Sequence, residues 1–200
     1  MSKVEWPYRT PGIPDSLFKR ISSIPMTKQE VRTLSVSRLR IFTGAVIYDI
    51  GAGTGSVTVE CALLAAPGTV YSLEQDSSAD ELVEVNVRRF GLTNVKLVPG
   101  SAPATMDKLP PADRVFIGGS AGSLADILKT VDKKLKPGGW VVANAVTLET
   151  GPVVLAFLEG RGYQQVEAIS VNVSRAKPVG RSHLWEAQNP VQIISGQKPG

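Results

Sequence analysis

The sequence predicts an α/β fold, a doubly wound, mostly parallel seven-stranded sheet with helices on both faces, and three observations carry that prediction. Strand-like and helix-like segments alternate along the chain with short connections between them. The run Ala45–Ile50 is nearly all apolar, as a strand covered on both faces must be, and it passes directly into a glycine-rich turn. An acidic residue, Glu74, closes the next strand-like segment. The 200 residues, 42% of them apolar, are enough for one core of ordinary domain size. No internal repeat or low-complexity tract divides them.

The elements follow in order. Lys28 to Leu39 places Val31, Leu34, Arg38 and Leu39 on one helical face, with Thr27 as the expected N-cap. Ala45–Ile50 is the first strand. Ser56 to Ala66 is a helix stopped by Pro67-Gly68, and Val70–Glu74 is the second strand. Ala79 to Phe90 carries Leu82, Val83, Val85, Val87 and Phe90 between charges and stops at Gly91, which reads as an amphipathic helix. Val95–Val98 and Asp113–Ile117 are strands three and four. Ser123 to Leu135 has Leu124, Ile127, Leu128, Val131 and Leu135 at three- and four-residue spacings and ends at Lys136-Pro137-Gly138-Gly139. Trp140–Ala145 is strand five. A helix over about Glu149 to Gly160 leads to strands near Gln165–Val173 and Val191–Ser195. Between these two lies a long loop holding most of the late basic residues, and loops of that length in compact domains are functional or disordered.

Composition narrows the function classes. Met1 to Arg20 is broken by Pro7, Pro11, Gly12 and Pro14 and contains no apolar run, so it is not expected to act as a signal peptide or anchor. No stretch reaches the roughly 18–20 apolar residues of a membrane span, and a soluble, cytoplasmic protein is expected. Cys61, the only cysteine, sits in an apolar helical pattern and reads as core packing. The net charge of +4 suits an acidic small ligand as well as it suits nucleic acid. No aromatic-and-basic stripe favours nucleic acid, and no metal site is expected.

The chemistry concentrates in Asp49-Ile50-Gly51-Ala52-Gly53-Thr54-Gly55-Ser56-Val57. Glycines at 51, 53 and 55 permit positive φ and let a ligand lie against bare backbone, while N–H groups at the helix start are expected to be free for hydrogen bonds. A dinucleotide fingerprint would need glycine where Ser56 stands, which disfavours a pyrophosphate cofactor. Glu74 follows Gly55 by nineteen positions, where doubly wound folds place the carboxylate that accepts from ribose hydroxyls. Gly100-Ser101-Ala102-Pro103, at the exit of strand three, either lines an adenine or forms an ordinary turn with Pro103 opening a helix. These residues imply an adenosine-type ligand, and S-adenosyl-L-methionine fits best.

Further strings carry a resemblance: Gly12-Ile13-Pro14-Asp15, Pro25-Met26-Thr27-Lys28-Gln29-Glu30-Val31-Arg32, Phe116-Ile117-Gly118-Gly119-Ser120, Leu135 to Gly139 and Leu148-Glu149-Thr150. With Asp49–Val57 they resemble, over nearly the whole chain, the precorrin or cobalt-precorrin carbon-15 methyltransferase (decarboxylating) family of cobalamin biosynthesis, a class I S-adenosylmethionine-dependent methyltransferase family. The resemblance implies methyl transfer to carbon 15 of a precorrin-6B-type tetrapyrrole with loss of the carbon-12 acetate carboxyl. It puts Thr27, Gly51, Ala52, Gly53, Thr54, Gly55, Glu74 and Ala102 on the cofactor; Ser101 departs from the family's usual aspartate, so a side-chain contact to adenine there is in doubt.

Gly118 and Gly119 would let a flat ring approach the methyl group. Arg175, Lys177 and Arg181 are expected to form a rim for the substrate's carboxylates, since guanidinium forks match them in charge and geometry. No dedicated acid is found for the decarboxylation; His183, the sole histidine, is either a proton donor or simply solvated.

The resemblance further implies a homotetramer and, as a possible partner, a separate carbon-5 precorrin methyltransferase. One domain over 1–200 results, divided into an N-terminal extension and helix (1–44), a cofactor-binding core (45–145) and a substrate-side part (146–200). The alternatives are a protein or RNA methyltransferase and a non-catalytic S-adenosylmethionine-binding protein.

Overall fold

A computed structural model describes residues 6–200; the first five residues of the N-terminal extension lie outside the described residues. Seven strands form one sheet in the order β3-β2-β1-β4-β5-β9-β6, from β1 (Val46–Ile50), β2 (Thr69–Glu74), β3 (Val95–Pro99), β4 (Ala112–Ile117), β5 (Leu135–Ala145), β6 (Gln164–Val171) and β9 (Val191–Gln197). β1 to β5 pair in parallel, and β9 runs antiparallel between β5 and β6.

Alternation along β1 divides the core. Tyr48 and Ile50 face one layer, formed by α4 (Leu124–Lys134) and α5 (Thr150–Gly160) through Ile127, Leu128, Val131, Val154 and Leu158. Ile47 faces the other layer, where α1 (Gln29–Arg38) and α2 (Ser56–Ala65) bring Val31, Val36, Val57, Cys61 and Ala62, with α3 (Ser77–Arg89) packed beside α2 and against β3. Cys61 is fully buried, as its setting in the sequence indicates. No helix among the described residues is long and apolar enough to cross a membrane.

Three local readings are corrected. Lys28, not Thr27, is the N-cap of α1 and makes no side-chain cap bond. On the same helix Leu34 is exposed, while Val31, Arg32, Ser35 and Val36 turn inward; a buried arginine cannot be seen by apolar periodicity. β5 starts at Leu135 rather than Trp140: Leu135 pairs with Ala112, the Lys136–Gly139 segment bulges, and Trp140 then pairs with Arg114.

The largest difference concerns the late basic segment. It is not a loop but an antiparallel hairpin, β7 (Ser174–Val179) and β8 (Ser182–Ala187), joined by Gly180-Arg181 with Gly180 at φ +59°. A two-residue turn led by glycine is the expected connection for such a ribbon. Pro178 and the charges around it hide the strand from a propensity reading, because proline is tolerated only at sheet edges and here both strands are edges.

Candidate active site

A cleft of about 250 Å³ opens at the C-terminal ends of β1, β2, β3 and β4. This is where sequence order reverses in the sheet, between β1 and β4, the usual ligand position in doubly wound folds. Among the residues lining it are Gly51, Ala52, Gly53, Glu74, Ser101, Ala102, Gly118, Gly119 and Thr27. Thr54 and Gly55 do not line it: Thr54 is fully buried with its carbonyl accepting from Asn86 Nδ2 at 2.8 Å, and a Cβ on Gly55 would lie 2.9 Å from Val83 of α3. These two shape the turn from behind.

The glycines are dictated by neighbouring backbone. A Cβ on Gly51 (φ +72°) would fall 2.6–2.8 Å from backbone atoms of Gly119, and one on Gly53 (φ +55°) 2.6 Å from the Pro25 carbonyl oxygen. Gly118 donates to the Ile50 carbonyl at 2.8 Å, so the exits of β1 and β4 are in direct backbone contact. The small residues at 118 and 119 therefore have a packing reason that precedes any ligand.

Within the turn itself, ahead of the helix start, four N–H groups are already taken. Those of Gly51 and Ala52 donate to the Leu73 carbonyl, that of Gly53 to Glu74 Oε2 at 2.9 Å, and that of Gly55 to the Ala52 carbonyl. Glu74 Oε1 accepts from the N–H groups of Gln75 and Asp76 at 2.8 and 3.0 Å. Three backbone donors thus fix the carboxylate at the cleft wall, and Oε2, which accepts only one of them, keeps lone-pair capacity for a ligand hydroxyl. Pro25 and Thr27, from the segment before α1, also line the cleft. The lining fits an adenosine ligand: a carboxylate with an open acceptor site for ribose, a glycine floor, and Ser101-Ala102.

Directly beneath the turn, Asp49 is fully buried. Thr58 Oγ1 donates to its Oδ2 at 2.5 Å, and its Oδ1 has no partner among the described residues. Burial pushes its carboxyl up to about 7 against the hydrogen bond from Thr58, with the Glu74 charge adding to the rise. Because the folded state binds this proton more tightly than the unfolded state, the contribution to stability is complete below about pH 4 and is lost as pH rises through about 7. Asp49→Asn should remove that decline, at about 1.4 kcal/mol per unit of displacement. Urea unfolding of both proteins at pH 5 and pH 8 checks it: the wild type weakens toward pH 8 relative to the variant, whereas parallel behaviour would contradict the assignment.

Sequence reading missed Arg32, whose side chain is fully buried. Nε donates to Glu60 Oε1 at 2.7 Å, Nη1 to Asp15 Oδ1 at 3.2 Å and to the Thr27 carbonyl at 2.6 Å, and Nη2 to the Ile13 carbonyl. Glu60 also accepts the N–H groups of Gly12 and Ile13, each at 3.0 Å. The Gly12–Asp15 and Pro25–Arg32 strings are thus two halves of one knot, anchored on the helix that follows the glycine turn.

None of Arg175, Lys177, Arg181 or His183 lines the cleft. The hairpin register places Arg175 and Lys177 on one face, with Leu184 and Glu186 opposite them, and His183 and Trp185 on the other; Arg181 is in the turn. His183 therefore cannot share a wall with Arg175 and Lys177. Lys177 pairs with Glu186 at 3.0 Å, and Arg175 with Glu30.

The sheet order, the glycine turn at the exit of β1 and the carboxylate at the exit of β2 define a class I S-adenosylmethionine-dependent methyltransferase fold. Residues 19–198 match the precorrin methyltransferase domain, and the chain belongs to that family. It is 42% identical over 193 residues to a Sulfurisphaera tokodaii protein named "Probable cobalt-precorrin-6B C(15)-methyltransferase (decarboxylating)", covering 96% of this chain and 100% of that protein. Among solved structures, it is similar to precorrin-6y C5,15-methyltransferase from Geobacter metallireducens (TM-score 0.89, 41% identity, 96% of this chain and 100% of that one). It is also similar to precorrin 8W decarboxylase from Methanobacterium thermoautotrophicum (TM-score 0.87, 35% identity, 92% and 98%).

Proposed function

We propose that the protein methylates carbon 15 of a precorrin-6B-type tetrapyrrole and removes the carboxyl of its carbon-12 acetate, in cobalamin biosynthesis. The observation that carries this reading is the family match over residues 19–198, supported by a cleft lined by both the glycine turn and Glu74. The match supports a tetrapyrrole over protein or RNA as substrate. S-adenosylmethionine, when bound, supplies the electrophilic methyl group. Glu74 accepts the ribose hydroxyls, Ser101-Ala102 backbone reads the adenine edge, and Thr27 borders the cleft. Gly118 and Gly119 leave the ring carbon room to approach, so alignment dominates the rate. Arg175, Lys177 and Arg181 hold substrate carboxylates at a rim beyond the cleft.

The reading extends to assembly. Val179, Leu184 and Trp185 of the hairpin are 49%, 61% and 77% exposed, and a two-stranded ribbon is marginal alone in water. Covering them supports a homotetramer, which light scattering tests. A separate carbon-5 methyltransferase acts as partner, and the setting is cytoplasmic.

Product mass tests the reaction. Incubation with precorrin-6B and S-adenosylmethionine should add one methyl and remove one carboxyl; methylation of RNA or bulk protein instead would overturn the reading. The cofactor role of Glu74 is tested by calorimetry with S-adenosylhomocysteine. Glu74→Ala should weaken binding by about 1.5–3 kcal/mol, the scale of lost charged hydrogen bonds. Glu74→Gln, which keeps one acceptor oxygen, should lose less; unchanged affinity in both folded variants would count against the ribose contact.

A further inference from the structure

Two arginines of this chain are joined through one carboxylate but differ in setting. Asp15, 9% exposed in its side chain, has Oδ1 3.2 Å from Nη1 of buried Arg32 and Oδ2 3.5 Å from Nη2 of Arg175. Arg32 is sealed in the core, whereas Arg175 is 43% exposed and its other partner, Glu30, 39% exposed. Glu30 fills the fork of Arg175: Nε donates to Oε1 at 3.1 Å, and Nη2 to Oε1 at 2.8 Å and to Oε2 at 2.6 Å. A pair this exposed adds little to stability, so its geometry calls for another explanation.

Its position offers one. Glu30 stands in the first turn of α1, three residues after Thr27 of the cleft lining. Every residue of β7 and β8 is exposed, and among the described residues Arg175 is the only hairpin side chain that bonds to the body of the domain. The Arg175 guanidinium is thus held by a carboxylate three residues along the chain from the cleft lining, arranged as an incoming acidic ligand would be. The guanidinium holds the Glu30 carboxyl below the usual carboxylate range, so it stays ionised and ready to compete.

We propose that Glu30 is an internal carboxylate that occupies the Arg175 fork until a carboxylate side chain of the substrate displaces it, making the Arg175–Glu30 pair a specificity device for polycarboxylate ligands. Asp15, fixed by Arg32, keeps Arg175 in place during the exchange. A ligand without a well-placed carboxylate cannot repay the loss of Glu30 and is turned away, which is specificity through competition. The proposal rests on the tetrapyrrole reading for the identity of the ligand, but not for the exchange itself.

Fluorescence quenching of uroporphyrin, an octacarboxylate porphyrin, titrated with wild type, Glu30→Gln, Arg175→Gln and the double variant tests the exchange. Glu30→Gln should tighten binding about fivefold, the scale of one exposed ion pair. Arg175→Gln should weaken it, and the double variant should bind no better than Arg175→Gln alone. Unchanged S-adenosylhomocysteine affinity confirms folding in each. The same series with mellitate, a benzene hexacarboxylate, separates the two readings. The expected order with mellitate but no uroporphyrin binding keeps the exchange and discards the tetrapyrrole. If Glu30→Gln fails to tighten either probe, or tightens binding equally with Arg175 absent, the exchange is wrong.

Discussion

Replacing Arg32 by leucine should cost the protein about 3–5 kcal/mol, the largest loss expected of any single substitution in the N-terminal half. The side chain is fully buried and serves two carboxylates and two carbonyls. Leucine can fill part of the space, but it leaves Glu60, 1% exposed, without a counter-charge and Asp15 with only the 3.5 Å contact to Arg175. Against a total stability of about 5–15 kcal/mol the loss is a large share. For a chain of this length the midpoint should fall by about 6–20 °C in thermal unfolding. Adding Glu60→Gln, which removes one orphaned charge while keeping an acceptor for the N–H groups of Gly12 and Ile13, should recover part of it. A midpoint within about 2 °C of wild type for Arg32→Leu would show that the knot contributes only geometry.

The second large effect is expected at Gly51. Alanine there places a Cβ 2.6–2.8 Å from the backbone of Gly119, where no side chain can move aside, and the φ of +72° adds its own strain. Overpacking costs about 1–3 kcal/mol and the left-handed backbone about 1 more. Since the clash must part the exits of β1 and β4, S-adenosylhomocysteine affinity should fall by more than about tenfold, or 1.4 kcal/mol. Gly119→Ala is the control: its Cβ would have only the Gly51 Cα within reach, at 3.9 Å, so the variant should fold normally. Equal stability and affinity in Gly51→Ala would refute the close approach.

The difference between these two sites shows what was legible in the sequence. The turn at 51–55 announces itself because a buried strand running into spaced glycines has few other meanings, and Glu74 could be placed by register with it. The parallel core was likewise readable, since continuous apolar runs and amphipathic spacings mark it directly. Arg32 was not readable: its partners lie 17 and 28 positions away, and a lone charge on a helix looks solvated until tertiary structure encloses it. The hairpin was missed because its residues are exposed on both faces, so no apolar alternation marks them. The partners of the turn's own N–H groups are illegible for a related reason. The acceptor for Gly51 and Ala52, the Leu73 carbonyl, belongs to a neighbouring strand whose register sequence alone does not supply.

The place of β9 has a consequence for how the protein is made. The ribosome completes every other strand described before Val191–Gln197, yet β9 is the one that joins β5 to β6. While a nascent chain waits for it, at about 5–20 residues per second, β5 and β6 each present an open row of hydrogen-bonding groups. That interval is when a chaperone has most to protect, and a message truncated within this segment would release a polypeptide with two adhesive edges.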